Sequence, residues 1–212
     1  MKRARVLLAD DHGIVVEGLK SLLEPEFELV GAVQDGRALM EAAEQLRPDV
    51  IVADISMPIL NGIEAVRQIR KKDKQVKVVF LTMHPDVTYA ASAFEAGASG
   101  YVLKHSAPSE LVIAIHEALK GHVYVTPVIA GELMGAYRKG FAQKTANVEL
   151  TSRQREVLQL LAEGKSAKEI ALILNISTRT VEFHKYRVME DLGIKTVAEL
   201  VRYAVKHGIV GT

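Results

Sequence analysis

Asp10, Asp11, Asp54, Thr82 and Lys104 stand at or just after the ends of short apolar runs, and together they carry three carboxylates, a hydroxyl and an ammonium. Brought to one place, three carboxylates raise one another's pKa unless a cation sits among them. Oxygen donors at an open, partly hydrated site suit Mg²⁺, a hard ion that usually keeps several waters. A carboxylate beside such an ion can act as a nucleophile toward a phosphoryl group, giving an aspartyl phosphate. The ion and the lysine would neutralise charge on the transferring oxygens, which is most of what phosphoryl transfer asks of a protein. Taken singly, each residue has a plainer reading: an Asp after a strand is a turn or a helix cap, Lys104 is surface, Thr82 is sheet. Their joint occurrence at four strand ends is what favours chemistry.

For these residues to meet, the runs before them must be strands of one sheet. β-branched apolar runs occur at 6–9, 29–33, 50–53, 78–81 and 101–103. Between them lie apolar residues at helical spacing: Ile14/Leu19/Leu22/Leu23, Leu39/Ala42/Ala43/Leu46, Ile63/Val66/Ile69 and Leu111/Ile115/Ala118/Leu119, with an Ala-rich helix near 86–96. Parallel strands need crossover connections, so this alternation predicts an α/β doubly wound, five-stranded parallel sheet with helices on both faces. Strands covered on both faces read as continuous apolar runs, as these do. Ligands of such sheets bind beyond the carboxyl ends of the strands, where the strand order reverses.

Residues 4–120 resemble the receiver domain of two-component signalling, a flavodoxin-like fold, and the first domain is set at 1–120. Asp54-Ile-Ser-Met-Pro-Ile-Leu-Asn-Gly62 is similar to the segment around the family's phosphate-accepting aspartate, with Pro58 and Gly62 fitting a turn and a helix start. The resemblance implies that Asp54 is the phosphoacceptor and that Asp10 and Asp11 join it in holding Mg²⁺. It also implies that Thr82 is the switch hydroxyl, Lys104 the phosphate-contacting lysine and Tyr101 the aromatic whose rotamer reports phosphorylation. His12, His84 and His105 lie near the expected cleft without the pattern of a metal cluster. His84 and Ser56, two residues past Thr82 and Asp54, hold positions that in this family influence how long the phosphate survives.

Residues 121–148 read as a linker with one short helix. Thr126-Pro127 offers an N-cap and then proline at the first helical position, whereas Gly135 and Gly140 weaken the rest of that helix.

Residues 149–212 read as a small all-α domain of four helices. Thr151-x-x-Gln154, Ser166-x-x-Glu169 and Thr196-x-x-Glu199 each fit the capping-box pattern, and Gly164, Gly193 and Gly208 fall where helices should end. A helix at 168–174 and another at 178–191 are separated only by Asn175-Ile-Ser177, which is helix-turn-helix spacing, with the second helix entering the major groove. With Val181, His184 and Val188 turned to the core, Thr178, Arg179, Glu182, Lys185, Tyr186 and Met189 occupy the opposite face, with Ser177 at its start. Arg and Lys can contact guanine or phosphate and Glu can accept from cytosine.

Leu150-Thr-Ser-Arg-Gln-Arg-Glu156, Lys168-Glu-Ile-Ala171 and Ser177-Thr-Arg-Thr-Val-Glu-Phe-His184 resemble the LuxR-type helix-turn-helix of the NarL/FixJ response regulators. The order of the two domains matches as well. The resemblance implies a transcription factor phosphorylated by a cognate histidine kinase, binding repeat half-sites of promoter DNA as a homodimer. Two residues depart from the pattern. Glu182 stands where many relatives place lysine, and Asp191 where a basic residue often follows, and both weaken phosphate attraction.

Composition narrows the alternatives. The 212 residues contain no cysteine, which excludes disulfides, thiolate chemistry and Cys-type zinc sites. No stretch approaches the ~20 apolar residues of a membrane span, so a soluble, cytosolic protein without a membrane partner is expected. Net charge is +1, but residues 1–120 carry 14 Lys/Arg against 17 Asp/Glu and residues 121–212 carry 13 against 9. An acidic front and a mildly basic back suit different partners. A Mg²⁺-dependent phosphatase would share the aspartyl nucleophile, but nothing forms an evident substrate lid. An adaptor with a protein-binding helical tail would share the bundle, but not salt-dependent DNA binding.

Overall fold

A computed structural model describes residues 3–106, 108–138 and 150–210, and the chain divides into two compact units, Met1–Phe141 and Ala142–Thr212.

In the first unit, strands β1 (Arg5–Ala9), β2 (Glu28–Val33), β3 (Val50–Ala53), β4 (Lys77–Thr82) and β5 (Gly100–Leu103) alternate with helices α1 (Gly13–Leu23), α2 (Gly36–Leu46), α3 (Gly62–Lys72), α4 (Val87–Glu95) and α5 (Pro108–Leu119). All pairings are parallel, in the order β2-β1-β3-β4-β5. The order reverses between β1 and β3, so the ends of these two neighbours open a crevice. Alternate strand residues face opposite layers. Leu7, Ala9, Ile51, Ala53, Val78 and Phe80 pack with Leu39, Ala65, Val66, Ala90 and Ala93, placing α2, α3 and α4 on one face. Val6, Leu8, Val50, Val52, Val79 and Val102 pack with Leu19, Leu23, Leu111 and Ile115, placing α1 and α5 on the other.

The sheet has six strands among the described residues, one more than the sequence implied. β6 (Tyr124–Val125) pairs with β5, and α6 (Pro127–Arg138) comes after it. Ile129 of α6 is fully buried in the same cluster as Ala90 and Ala93 of α4. The start of the expected linker is therefore part of the first core. Residues 139–148, the rest of that expected linker, lie outside the described residues. The Thr126 hydroxyl, expected as a helix cap, donates to Glu110 Oε2 at 3.0 Å and accepts from Leu103 N–H at 3.3 Å, tying β6 to β5 and α5.

The second unit contains α7 (Ser152–Ala162), α8 (Ala167–Leu174), α9 (Thr178–Leu192) and α10 (Val197–Lys206). All three expected capping boxes form, at Thr151/Gln154, Ser166/Glu169 and Thr196/Glu199. Gly164, Gly193 and Gly208 take positive φ, as left-handed helix ends require. Asn175 does the same with φ 51°, ending α8 just before Ser177 caps α9. One cluster joins Val157, Leu160, Ile170, Leu174 and Val181, fixing α8 and α9 against α7. A second joins Leu150, Leu158, Val188, Leu200, Ala204 and Ile209.

Candidate acidic cleft and helix-turn-helix surface

Asp10 follows β1, Asp54 follows β3, Thr82 ends β4 and Lys104 follows β5, so parallel pairing alone delivers them to one edge. Backbone bonds carry the ladder one residue further: Asp54 N–H donates to Ala9 O at 2.8 Å and Lys104 N–H to Thr82 O at 2.8 Å. The loop after β3 is held tight. Gly62 N–H donates to Ile55 O at 2.9 Å, and a Cβ at Gly62 would overlap the carbonyl oxygen of Asp54. Glycine is thus required by close approach of the helix start to the strand end. Asn61 caps α3 by accepting from Glu64 N–H at 2.9 Å.

Lys104 Nζ lies 2.7 Å from Asp10 Oδ2 and 2.7 Å from Asp54 Oδ2, and all three side chains are under a tenth exposed. The other Asp54 oxygen, Oδ1, accepts from Ile55 N–H at 2.6 Å and Ser56 N–H at 3.3 Å. Burial pushes the Asp54 carboxyl above the usual range, against the pull of Lys104, and the Asp10 charge adds to the rise. Burial alone would lower Lys104, but its bonds to Asp10 and Asp54 outweigh that and hold the ammonium above the usual range. Asp11 lies outside this ion pair and faces His12, whose Nδ1 is 2.9 Å from Asp11 Oδ1 and 3.2 Å from Asp10 Oδ1. Single ligand atoms of Asp10, Asp11, His12 and Asp54 fall within 4.8 Å of one another. His12 therefore stands within the acidic group.

A second layer runs from the cleft to β5. Ser56 Oγ and His84 Nε2 are 2.7 Å apart, His84 N–H donates to Thr82 Oγ1 at 3.3 Å, and Tyr101 OH donates to His84 O at 2.7 Å. The His84 ring stacks on Tyr89 of α4, with centroids 4.1 Å apart. Burial lowers the His84 pKa and raises that of Tyr101. Tyr101 is fully buried, its ring turned inward.

Along α9 and its cap, Ser177, Thr178, Arg179 and Tyr186 are exposed, while Glu182 and Lys185 are half-buried. Lys185 Nζ is held 2.6 Å from Glu182 Oε2 and lies 5.1 Å from the Tyr186 ring centre. Ser177 Oγ accepts from Thr180 N–H at 3.1 Å, so its side chain is engaged as the helix cap.

Residues 6–116 match the family described as response regulator receiver domain, and residues 148–204 match bacterial regulatory proteins of the luxR family. The transcriptional regulatory protein MctR of Rhizobium johnstonii is 38% identical over 210 residues, covering 98% of this chain and 96% of that relative. The chain belongs to the LuxR-type response regulators. A crystal structure of a LuxR-family two-component response regulator from an Aurantimonas species is 40% identical, with TM-score 0.62, over 65% of this chain and 99% of that one. Salmonella enterica RcsB, solved bound to a promoter in the presence of the phosphomimetic BeF₃⁻, is 29% identical, with TM-score 0.62, over 97% of this chain and 100% of that one.

The first unit of this response regulator is its receiver, and the second is its LuxR-type DNA-binding domain. The receiver brings Asp10, Asp11, Asp54 and Lys104 together at one sheet edge, and Thr82 and Tyr101 are linked to each other through the His84 backbone. In the DNA-binding domain two assignments change. His184 is only half-buried, and Met189, expected on the open face, packs against the core with Val188. Phe183, read from sequence only as part of a motif, is 59% exposed. Asp191, which departs from the family pattern, accepts from Gln154 Nε2 at 2.9 Å and ties α9 to α7.

Proposed function

We propose that Asp54 accepts a phosphoryl group from a partner histidine kinase or a small phosphodonor, and that its occupancy sets how tightly α9 binds promoter DNA. The observation that supports this most is Lys104 bridging Asp10 and Asp54 at 2.7 Å in the crevice between β1 and β3. An Asp54 oxygen forms the bond to phosphorus as the phosphorus–nitrogen bond of a phosphohistidine breaks, and the imidazole nitrogen keeps the electron pair. Ile55 and Ser56 N–H groups orient the carboxylate, and Lys104, kept protonated by its two carboxylates, turns to the phosphoryl oxygens.

The donor set fits Mg²⁺: Asp11, Asp54 and Asp10 offer hard oxygens within reach of one another. When bound, the ion neutralises charge on the transferring oxygens. Thr82 can then exchange its bond from His84 N–H for the phosphoryl group, which loosens a residue whose carbonyl Tyr101 holds and whose ring stacks on Tyr89. That gives phosphate a different contact with each of two states, as a switch requires.

The activated protein is a homodimer reading repeated half-sites, with Ser177, Thr178, Arg179, Glu182, Lys185 and Tyr186 along its DNA-facing surface. Its chemistry begins and ends on Asp54, without turnover of other substrates. Among the described residues no helix is long and apolar enough to cross a membrane. Chromosomal DNA and a kinase's phosphodonor domain meet in the cytosol, and the protein works there. Acetyl phosphate with Mg²⁺ should add one phosphoryl group to wild type by intact mass and none to Asp54→Asn. Equal incorporation in the variant contradicts the assignment.

A further inference from the structure

Arg179, Glu182, Phe183 and Tyr186 have i, i+3, i+4, i+7 spacing, so they share one face of α9. At its centre stands Phe183, 59% exposed, beside Tyr186 at 64%. The Phe183 ring is braced edge-on by His184, with centroids 5.6 Å apart and planes at 70°. Next to it, Glu182 and Lys185 bind each other at 2.6 Å, so their charges cancel locally. The middle of the reading face is therefore aromatic and close to neutral.

A phenyl ring can neither donate nor accept to a base edge. The one apolar group that the major groove displays is the 5-methyl of thymine. We propose that Phe183 packs on a thymine methyl and makes an A·T pair part of the half-site. This rests on α9 being the DNA-reading helix, and it adds the base that one residue selects.

The test replaces thymines by deoxyuridine, one at a time, in a site selected from genomic DNA by the full chain with Mg²⁺ and beryllofluoride. Deoxyuridine lacks the methyl and keeps every hydrogen-bonding group. At one thymine per half-site the substitution should weaken wild-type binding about fourfold, the worth of one carbon group removed from water. Phe183→Ala should bind the thymine and uracil sites alike, with circular dichroism showing that the exposed change leaves α9 folded. Specific binding that is indifferent to every deoxyuridine overturns the proposal alone. So does an unchanged uracil penalty in Phe183→Ala. Failure of the full chain to select any site overturns the reading role of α9 and the proposal together.

Discussion

The Tyr101 hydroxyl donates a 2.7 Å hydrogen bond to the carbonyl oxygen of His84, joining the buried middle of β5 to the segment after β4. His84 N–H in turn donates to the Thr82 hydroxyl, so one residue connects the expected switch hydroxyl with the expected switch aromatic. Tyr101→Phe keeps the ring and removes the bond. It should cost about 1 kcal/mol in urea unfolding. It should leave phosphorylation of Asp54 intact and shrink the change in DNA affinity that phosphorylation produces. An undiminished change would show that the bond plays no part in the switch.

Lys104 is the counter-charge for two buried carboxylates. Lys104→Ala leaves Asp10 and Asp54 facing each other, and breaking such a pair costs roughly 3–5 kcal/mol. A divalent ion can replace the missing charge, so Mg²⁺ should raise the melting temperature of the variant more than that of wild type. Thermal scans with and without Mg²⁺ decide it, and an equal rise in both would place the ion elsewhere.

Gly62→Ala sets a methyl against the carbonyl of Asp54. Overpacking of this kind costs about 1–3 kcal/mol. Because the strain falls on the proposed phosphoacceptor, acyl-phosphate formation should slow together with the loss of stability. Wild-type rates in a destabilised variant would show that the loop absorbs the methyl without moving Asp54.

On the DNA side, Arg179 is exposed near the start of α9, whereas Lys185 is neutralised by Glu182. Arg179→Ala should reduce the slope of log affinity against log salt by about 1, as for one phosphate contact. Lys185→Ala should change the slope less. Two folded variants that bind like wild type at every salt concentration would remove α9 from the interface.

Much of this is legible in the sequence because the chemistry lies at strand ends. An apolar run that leads into Asp10, Asp54 or Lys104 fixes both the strand and the edge on which its residue appears. The capping boxes are legible for the same reason, since they satisfy neighbouring backbone groups. β6 is not, because the two residues Tyr124 and Val125 are too short to display a period. Helix α6 carries Gly131 and Gly135, and its hold on the receiver depends on Ile129 meeting α4, a tertiary fact. Lys185 reads as a DNA contact in the sequence, where its ion pair with Glu182 cannot be seen. Phe183 falls on the open face by its spacing, but how far its ring stands clear, 59% exposed, shows only once α9 is folded.

The link between Asp54 and α9 is the centre of the account. The direct measurement is affinity for a selected promoter fragment, using the full chain with and without Mg²⁺ and beryllofluoride, with Asp54→Asn alongside. Wild type should bind more tightly when the phosphate mimic is present, and Asp54→Asn should not respond. No change in wild type, or the same tightening in Asp54→Asn, would contradict it.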